Sequence, residues 1–455
     1  MNYSQLSFKD TLGLSTEELQ RSLLKLLLGM HELAQEAGEA SREIVPTPIS
    51  AITPKDHNKA LEIWRSDGLP MLPTLPGRPC PACEAETSHA VFESYDGYTF
   101  HECQRCGTWY VPLGVTWDLF ARLFEKSPAA AAVAKDVASQ RRSQLEDQDL
   151  SRFLRYLAAV MPLLPEREGS LRYLDIGCNV GHSLQAAKSV GILAHGVEVD
   201  PYPGEIARRE GHTVVRFLED LPPGNYDIIS FWETLEHIAD PLAELQLASS
   251  RLAEGGLLVF TVPNLMALGL RLLREKCTYA YGGFNSPGHI NFFSKRSIAL
   301  LLDRAGLSLI NVDYEYSNMG VELAGYLQGG IDPAQPFSIL SPPKHLSDFV
   351  NGIWPIITMI ESTMGTLPMM QCIACHKGSE PLFAGKLAEK TQAAAANIRE
   401  QAIARLKESP DPASLLEAMK EELQKRDDHV AMRIYRRIEK IRTSLQSLFR
   451  KPRTS

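Results

Sequence analysis

The stretch Leu171-Arg-Tyr-Leu-Asp-Ile-Gly-Cys-Asn-Val-Gly-His-Ser-Leu184 constrains the fold more than any other part of this chain. Tyr173 to Ile176 is an apolar run with Asp175 near its end. Glycines follow at 177 and 181, and a helical pattern opens at Ser183-Leu184-Gln185-Ala186-Ala187. That order predicts a buried strand, a tight turn and a helix start. Glycine carries no Cβ, so such a turn lets backbone N–H groups approach a ligand closely. In a doubly wound α/β sheet the resulting crevice lies at the carboxyl ends of the strands.

Strand-like and helix-like segments keep alternating after Leu171, which predicts a mostly parallel sheet. The next strands are expected at Ala194–Asp200, Thr213–Phe217 and Tyr226–Phe231, in the apolar run after Gly255-Gly256, and at 307–315. Glu198 closes the second of the series, where an acidic residue can accept hydrogen bonds from ribose hydroxyls. Asp200 precedes Pro201 and reads as a helix cap. A glycine turn with a following acid suits a nicotinamide dinucleotide as well as other nucleoside cofactors.

Asp175-Ile-Gly177-Cys178-Asn179-Val-Gly181 resembles motif I of the class I S-adenosylmethionine-dependent methyltransferases, with Asn179 in place of the middle glycine. After glycine, asparagine best tolerates positive φ, so the turn can keep its shape. Gly196-Val-Glu198 matches the next motif. Tyr226-Asp-Ile-Ile-Ser-Phe231, followed by Trp232-Glu-Thr-Leu-Glu236-His237-Ile-Ala-Asp240-Pro241, resembles the fourth-strand block, which dinucleotide dehydrogenases do not show. Leu252-Ala-Glu-Gly-Gly-Leu-Leu-Val-Phe-Thr-Val-Pro263-Asn264 resembles the fifth, in which a helix ends at a glycine pair before the strand.

The resemblance covers about residues 171–264 and implies a Rossmann-like, seven-stranded α/β sheet with six parallel strands and one antiparallel. The antiparallel strand is expected at Met369–His376. Its Cys372-Ile-Ala-Cys375-His376 has the form of a haem attachment site, but the apolar run reads as a buried strand. S-adenosylmethionine is the implied cofactor. The residues implied to hold it are Asp175, Gly177, Cys178, Asn179, Gly181, Glu198 (the ribose ligand), Val199, Leu218 and Glu219 at the adenine turn, and Trp232. Glu236 and His237 lead into a helix, and read as a capping and packing pair before a chemical one.

Upstream stand Cys80-Pro-Ala-Cys83 and Cys103-Gln-Arg-Cys106-Gly107, separated by residues 84–102. The spacing fits a tetrahedral four-cysteine zinc site, each pair forming a turn that aims two thiolates at one ion. Ala90–Tyr95 and Tyr98–Glu102 would be the strands of this ribbon, with His101 a neighbour. Such a closed site has a structural role, with no open position for catalysis.

Downstream, Ser286-Pro-Gly-His289-Ile-Asn-Phe-Phe-Ser294 resembles a block of the zinc-containing sugar C-methyltransferases, which also carry a cysteine-rich segment before the methyltransferase domain. The resemblance makes His289 the candidate base, a neutral imidazole able to take a proton from the atom that attacks the methyl group. A Glu commonly precedes that histidine; here Gly288 does. The other reading is an element at the start of a helix (Ile298–Leu307) that lines the pocket without moving protons.

These features divide the 455 residues into a helical segment (1–45), a linker and zinc ribbon (46–115), a helical connector (116–168), the methyltransferase domain (169–380, with an apolar insertion at 316–368) and a C-terminal helical, coiled-coil-like extension (381–455). That extension offers a surface for self-association or a partner. A net charge of −8 gives no support to nucleic-acid binding. No run reaches transmembrane length and the N-terminus lacks the pattern of a signal peptide, so a cytoplasmic enzyme is expected. Its acceptor is expected to be a nucleotide-linked sugar, glycan or related small metabolite. An O-methyltransferase of a lipid or small metabolite, and a binding or scaffold protein that has kept the fold and lost turnover, stay open beside it.

Overall fold

The structure is a computed structural model that describes residues 77–93, 99–113, 146–267, 289–315 and 365–389, together with 135, 138, 139 and 142. The expected N-terminal helix and linker, the apolar insertion, residues 286–288 and the coiled-coil-like stripe lie outside the described residues, as does most of the connector before 146.

Seven strands form one sheet: β4 (Arg172–Ile176), β5 (Leu193–Val197), β6 (Thr213–Val215), β7 (Tyr226–Trp232), β8 (Leu252–Pro263), β10 (Leu307–Glu315) and β11 (Met369–His376). Their order is β10-β11-β8-β7-β4-β5-β6. The pairs β4–β5, β4–β7, β5–β6 and β7–β8 are parallel, and β11 runs antiparallel to both β8 and β10. The expected sheet of six parallel strands and one antiparallel is therefore present, with Cys372 and Cys375 buried in its antiparallel member.

Alternation along each strand feeds two cores. Tyr173, Ile228, Leu257 and Ile373 face α1 (Glu146–Val160), α2 (His182–Ser189) and Phe383 in a helix at residues 381–389. Leu174, Ile229, Leu258 and Cys372 face the other side, covered by α4 (Pro241–Arg251), α5 (Lys295–Arg304) and the cysteine ribbon. Side chains on successive strand positions point to opposite faces, so central strands must be apolar throughout. All seven residues of β7 are accordingly buried.

Several boundaries differ from the sequence reading: the third strand ends at Val215 and not Phe217, α5 runs Lys295–Arg304 and not Ile298–Leu307, and two further differences bear on the site. The Gly255–Gly256 pair does not end a helix. The helix ends at Arg251 and the glycines sit within β8, where the register against β7 shifts between Tyr226 and Ile228. A Cβ on Gly256 would stand 2.9 Å from the Ala253 carbonyl oxygen, so this irregularity needs glycine. The second strand stops at Val197, leaving Glu198 just beyond it; Asp200 then caps α3 (Pro201–Arg209) by accepting from the Tyr202 N–H.

The ribbon is built from β1 (Ser88–Glu93), β2 (Thr99–Cys103) and β3 (Trp109–Tyr110). Its sheet has a fourth strand that the sequence did not reveal: β9 (Asn291–Phe292), from the His289 block, pairs antiparallel with β3.

Candidate functional site

Asp175 is buried at the end of β4. Its carboxylate accepts hydrogen bonds from the Ser183 hydroxyl and, at 2.7 Å, from the Ser230 hydroxyl. Burial pushes its pKa up to about 6, against the pull of those two bonds. Asp175 thus ties together β4, β7 and the start of α2, behind the turn that follows it.

That turn has positive φ at Gly177 (+83°), Asn179 (+49°) and Gly181 (+90°). Asn179 occupies the left-handed region that its motif position demands. Its side-chain oxygen accepts from the Val180 N–H at 2.9 Å. A Cβ on Gly177 would fall 2.5 Å from Thr234 Oγ1, because the turns after β4 and β7 press together. Cys178 turns its buried sulfur inward; a Cβ on Gly196 would lie 2.5 Å from it.

The expectation that this turn offers backbone donors is corrected by the structure. The N–H groups of Gly177 and Cys178 go to the Val197 carbonyl, that of Gly181 goes to the Cys178 carbonyl, and that of Asn179 goes to Glu198 Oε2 at 2.8 Å. With Val180 also engaged, the N–H groups of residues 177–181 all have partners within the protein.

Glu198 accepts from Asn179 through one oxygen and from the Asp200 N–H through the other, at 2.9 Å. Each carboxylate oxygen has a second lone pair, so the group can still accept two hydroxyls. Burial raises its pKa to about 7, opposed by those two backbone bonds. Val199 follows it at the same strand end. Leu218 and Glu219 lie in a one-turn 3-10 helix after β6, Leu218 buried and Glu219 exposed.

Trp232, at the end of β7, is almost fully buried. It donates from Nε1 to the Tyr173 hydroxyl at 2.8 Å and stacks on Tyr156 with ring centroids 4.6 Å apart. Its partners place α1 across the strand ends, a feature with no motif to announce it. His182, first in α2, meets Asp149 of α1 at 2.9 Å, and Arg152 of α1 donates to Glu233 Oε1 at 2.7 Å. Arg152 also brings a positive charge near Asp175.

A second group of residues stands at the end of β7. Leu235–His237 is a single 3-10 turn, and Asp240 caps α4 by accepting from the Ala243 N–H. His289 lies beside it. Its Nε2 is 4.0 Å from Glu236 Oε1, and its ring meets His237 edge-on at 4.7 Å between centroids. Glu236 is fully buried, and among the described residues neither of its oxygens has a hydrogen-bond partner. Burial holds its carboxyl well above the usual range. Polar atoms of Glu236, His237 and His289 all lie within 4.8 Å of one another. Such a cluster can share a proton between a carboxylate and an imidazole, or take a divalent cation.

The four sulfurs of Cys80, Cys83, Cys103 and Cys106 also converge within 4.8 Å, with the pairs Cys80–Cys106 and Cys83–Cys103 at 3.5 Å. A tetrahedral zinc with bonds of about 2.3 Å would set its sulfurs about 3.8 Å apart, so the donor set fits that ion. The two knuckles repeat one backbone pattern. Glu84 and Gly107 have positive φ and donate to the carbonyls of Cys80 and Cys103, while the N–H groups of Cys80 and Cys103 go to Ala85 and Thr108. Hydrogen bonds from Cys80 and then from Thr108 pull the Cys106 thiol pKa down.

Residues 146–312 match the family model described as a methyltransferase domain. This part of the chain has the class I S-adenosylmethionine-dependent methyltransferase fold. The ubiquinone biosynthesis O-methyltransferase of Xanthomonas campestris pv. campestris (strain B100) is 27% identical to this chain over 158 residues, covering 30% of this chain and 65% of that protein. The protein of the same name from Histophilus somni (strain 2336) is 28% identical over 143 residues, covering 26% and 60%. The chain thus spans less than two thirds of these relatives. Among solved structures, a methyltransferase from Archaeoglobus fulgidus overlaps 57% of this chain and 98% of its own, at 17% identity and a TM-score of 0.34. Among the described residues, no helix is long and apolar enough to cross a membrane.

Proposed function

We propose that this protein transfers the methyl group of S-adenosylmethionine to a small-molecule acceptor. The observation that carries the reading is the cradle at the ends of β4 and β5. There a turn with its N–H groups spent offers acceptors to the cofactor's ammonium, and Glu198 keeps two lone pairs for its ribose hydroxyls. Leu218 and Glu219 border the adenine side, and Arg152 is the cation placed to meet the cofactor carboxylate. The bound sulfonium would supply an electrophilic methyl carbon. The chain's part is to hold the acceptor atom in line with the methyl–sulfur bond and to take up its proton.

His289 is our candidate for that proton acceptor. The family's neighbouring Glu is Gly288 in this sequence, and Glu236 brings a buried carboxylate to the imidazole. With the cofactor bound, His289 would take the acceptor's proton while the acceptor atom takes up the methyl group. We propose zinc at the four cysteines in a structural role.

For the acceptor, the ribbon and the 289–294 block support a nucleotide-linked sugar or a related glycan intermediate. A second reading, O-methylation of a small metabolite, is supported by the relatives named as ubiquinone biosynthesis O-methyltransferases. The test is calorimetric titration with S-adenosylmethionine beside NAD, followed by methyl-label transfer to nucleotide sugars and to hydroxylated small molecules. Micromolar binding of S-adenosylmethionine alone supports the cofactor reading. Binding of neither would favour a scaffold that has lost turnover. In the transfer step, His289→Gln should keep cofactor affinity and lose roughly 100-fold or more in rate.

A further inference from the structure

The two histidines at the acceptor side are held by a residue of the ribbon. Arg78 stands two positions before Cys80, partly buried at the seam between ribbon and methyltransferase domain. Its Nε donates to the Val111 carbonyl at 2.8 Å, its Nη1 to the Ala239 carbonyl at 2.7 Å, and its Nη2 to the Ile290 carbonyl at 3.0 Å and to Asn291 Oδ1 at 2.8 Å. Val111 follows β3, Ala239 lies two residues after His237, and Ile290 directly follows His289. One guanidinium therefore joins the ribbon to both segments that carry the histidines.

Asn291 completes the tie. While its side-chain oxygen accepts from Arg78, its Nδ2 donates to the carbonyls of Leu235 and Ile238, at 3.1 and 2.7 Å, on either side of Glu236 and His237. The Ile290 N–H goes to the Glu236 carbonyl at 2.9 Å and its carbonyl accepts from Val111. Packing runs the same way: Phe100 of β2 meets Phe292 edge-on at 5.6 Å, and Phe292 lies 6.0 Å from the His289 ring. A strand of two residues has no stability of its own. β9 is supported from both sides: from the ribbon through the pairs Trp109–Phe292 and Tyr110–Asn291 and through Arg78, and from the domain through the Leu235 and Ile238 carbonyls and the Asn264–Phe293 bridge. None of these bonds reaches the 177–181 turn or Glu198.

We propose that Arg78 is a positioning residue for the acceptor side of the site, so that the cysteine knuckles and the metal that fits them set where His289 and His237 stand while leaving the cofactor cradle untouched. The role suits arginine alone, since a lysine ammonium cannot present a planar fork to acceptors in three segments. The proposal rests on reading His289 as the acceptor-side base, but its geometry can be tested without an acceptor.

The experiment uses the full chain as purified, the same chain after treatment with a zinc chelator, and two variants, Arg78→Lys and Asn291→Ser. Each is followed by hydrogen exchange of peptides spanning 235–240, 289–293 and 172–184, by histidine side-chain NMR, and by titration with S-adenosylmethionine. The expected result is exchange faster by at least about tenfold in 235–240 and 289–293, with 172–184 unchanged. Signals of His237 and His289 should move while those of His182 and His195 stay, and cofactor affinity should hold within about twofold. Unchanged exchange and unchanged His289 signals in Arg78→Lys would overturn the proposal, as would faster exchange spread evenly over all three peptides. If Arg78→Lys fails to fold, the chelated wild type and Asn291→Ser decide by the same criteria. If His289→Gln keeps full turnover while the exchange pattern appears as expected, the base reading fails and the positioning role stands.

Discussion

Glu198 holds the backbone N–H of Asn179 at 2.8 Å, so the residue expected to read the ribose also fixes the turn that departs most from the motif. The carboxylate just past β5 is the turn's internal partner and, in the function proposed above, the cofactor's acceptor as well. Glu198→Ala should therefore remove both functions. Calorimetry should show S-adenosylmethionine binding weakened by at least about 2–3 kcal/mol for a charged acceptor left out. Wild-type affinity in that variant would place the cofactor elsewhere.

Burial lifts the Glu198 pKa from 4.5 to about 7, and the sign of the pH effect follows. The ionised form accepts the ribose hydroxyls, and a proton occupies one of those sites. Affinity for S-adenosylmethionine should rise as pH climbs towards 7 and level off above it, falling by up to about tenfold per pH unit below. In the ligand-free protein the same raised pKa works the other way: stability from this group is full below about 4.5 and is lost as pH rises through 7. Titrations at about pH 6 and pH 8 giving equal affinity would remove Glu198 from the role.

Gly177→Ala should destabilise the domain by about 2–4 kcal/mol, read as a lower urea midpoint with an unchanged slope. Two costs combine. The position has φ of +83°, and the added methyl would stand 2.5 Å from Thr234 Oγ1. The companion change Thr234→Ser deletes only the threonine methyl, which would lie 2.8 Å from the new Cβ, and should recover part of the loss.

Elemental analysis should find about one zinc per chain, and Cys103→Ser should lose it. A folded, metal-free wild-type preparation would remove zinc from the account. Since the four cysteines belong to the same core as α4 and α5, the variant should lower the melting temperature of the methyltransferase domain itself and not merely loosen an appendage.

The sheet was legible in the sequence because its signals are local. Alternating apolar runs, the glycines of the 177–181 turn and the Asp200 cap each act within a few residues, and they stand in the order expected. The knuckle spacing was legible for the same reason. What the sequence hid depends on residues far apart in the chain. Nothing around Arg152 marks it as the cation beside the strand ends; its place follows from α1 lying on Trp232. Nothing around Asn291 says that it completes the ribbon, because a two-residue strand has no period to detect. The glycine pair of β8 misled through ambiguity, since a helix end and a strand irregularity both call for glycine. The motif also predicted the turn's shape and not the fate of its N–H groups, which depended on where Val197 and Glu198 ended up.

Because β9 completes the ribbon's sheet, the order of synthesis matters. Once Cys106 has left the ribosome the knuckles can close on an ion, yet the partner of Trp109 and Tyr110 is still unmade. At bacterial or eukaryotic elongation rates that partner arrives on the order of ten seconds later or more. Meanwhile β3 is an open edge beside the closed knuckles, and Arg78 has no carbonyls of the later segments to meet. The nascent ribbon is therefore a half-built template that waits for the 289–293 segment, and an unrelated strand can occupy its edge in the interval.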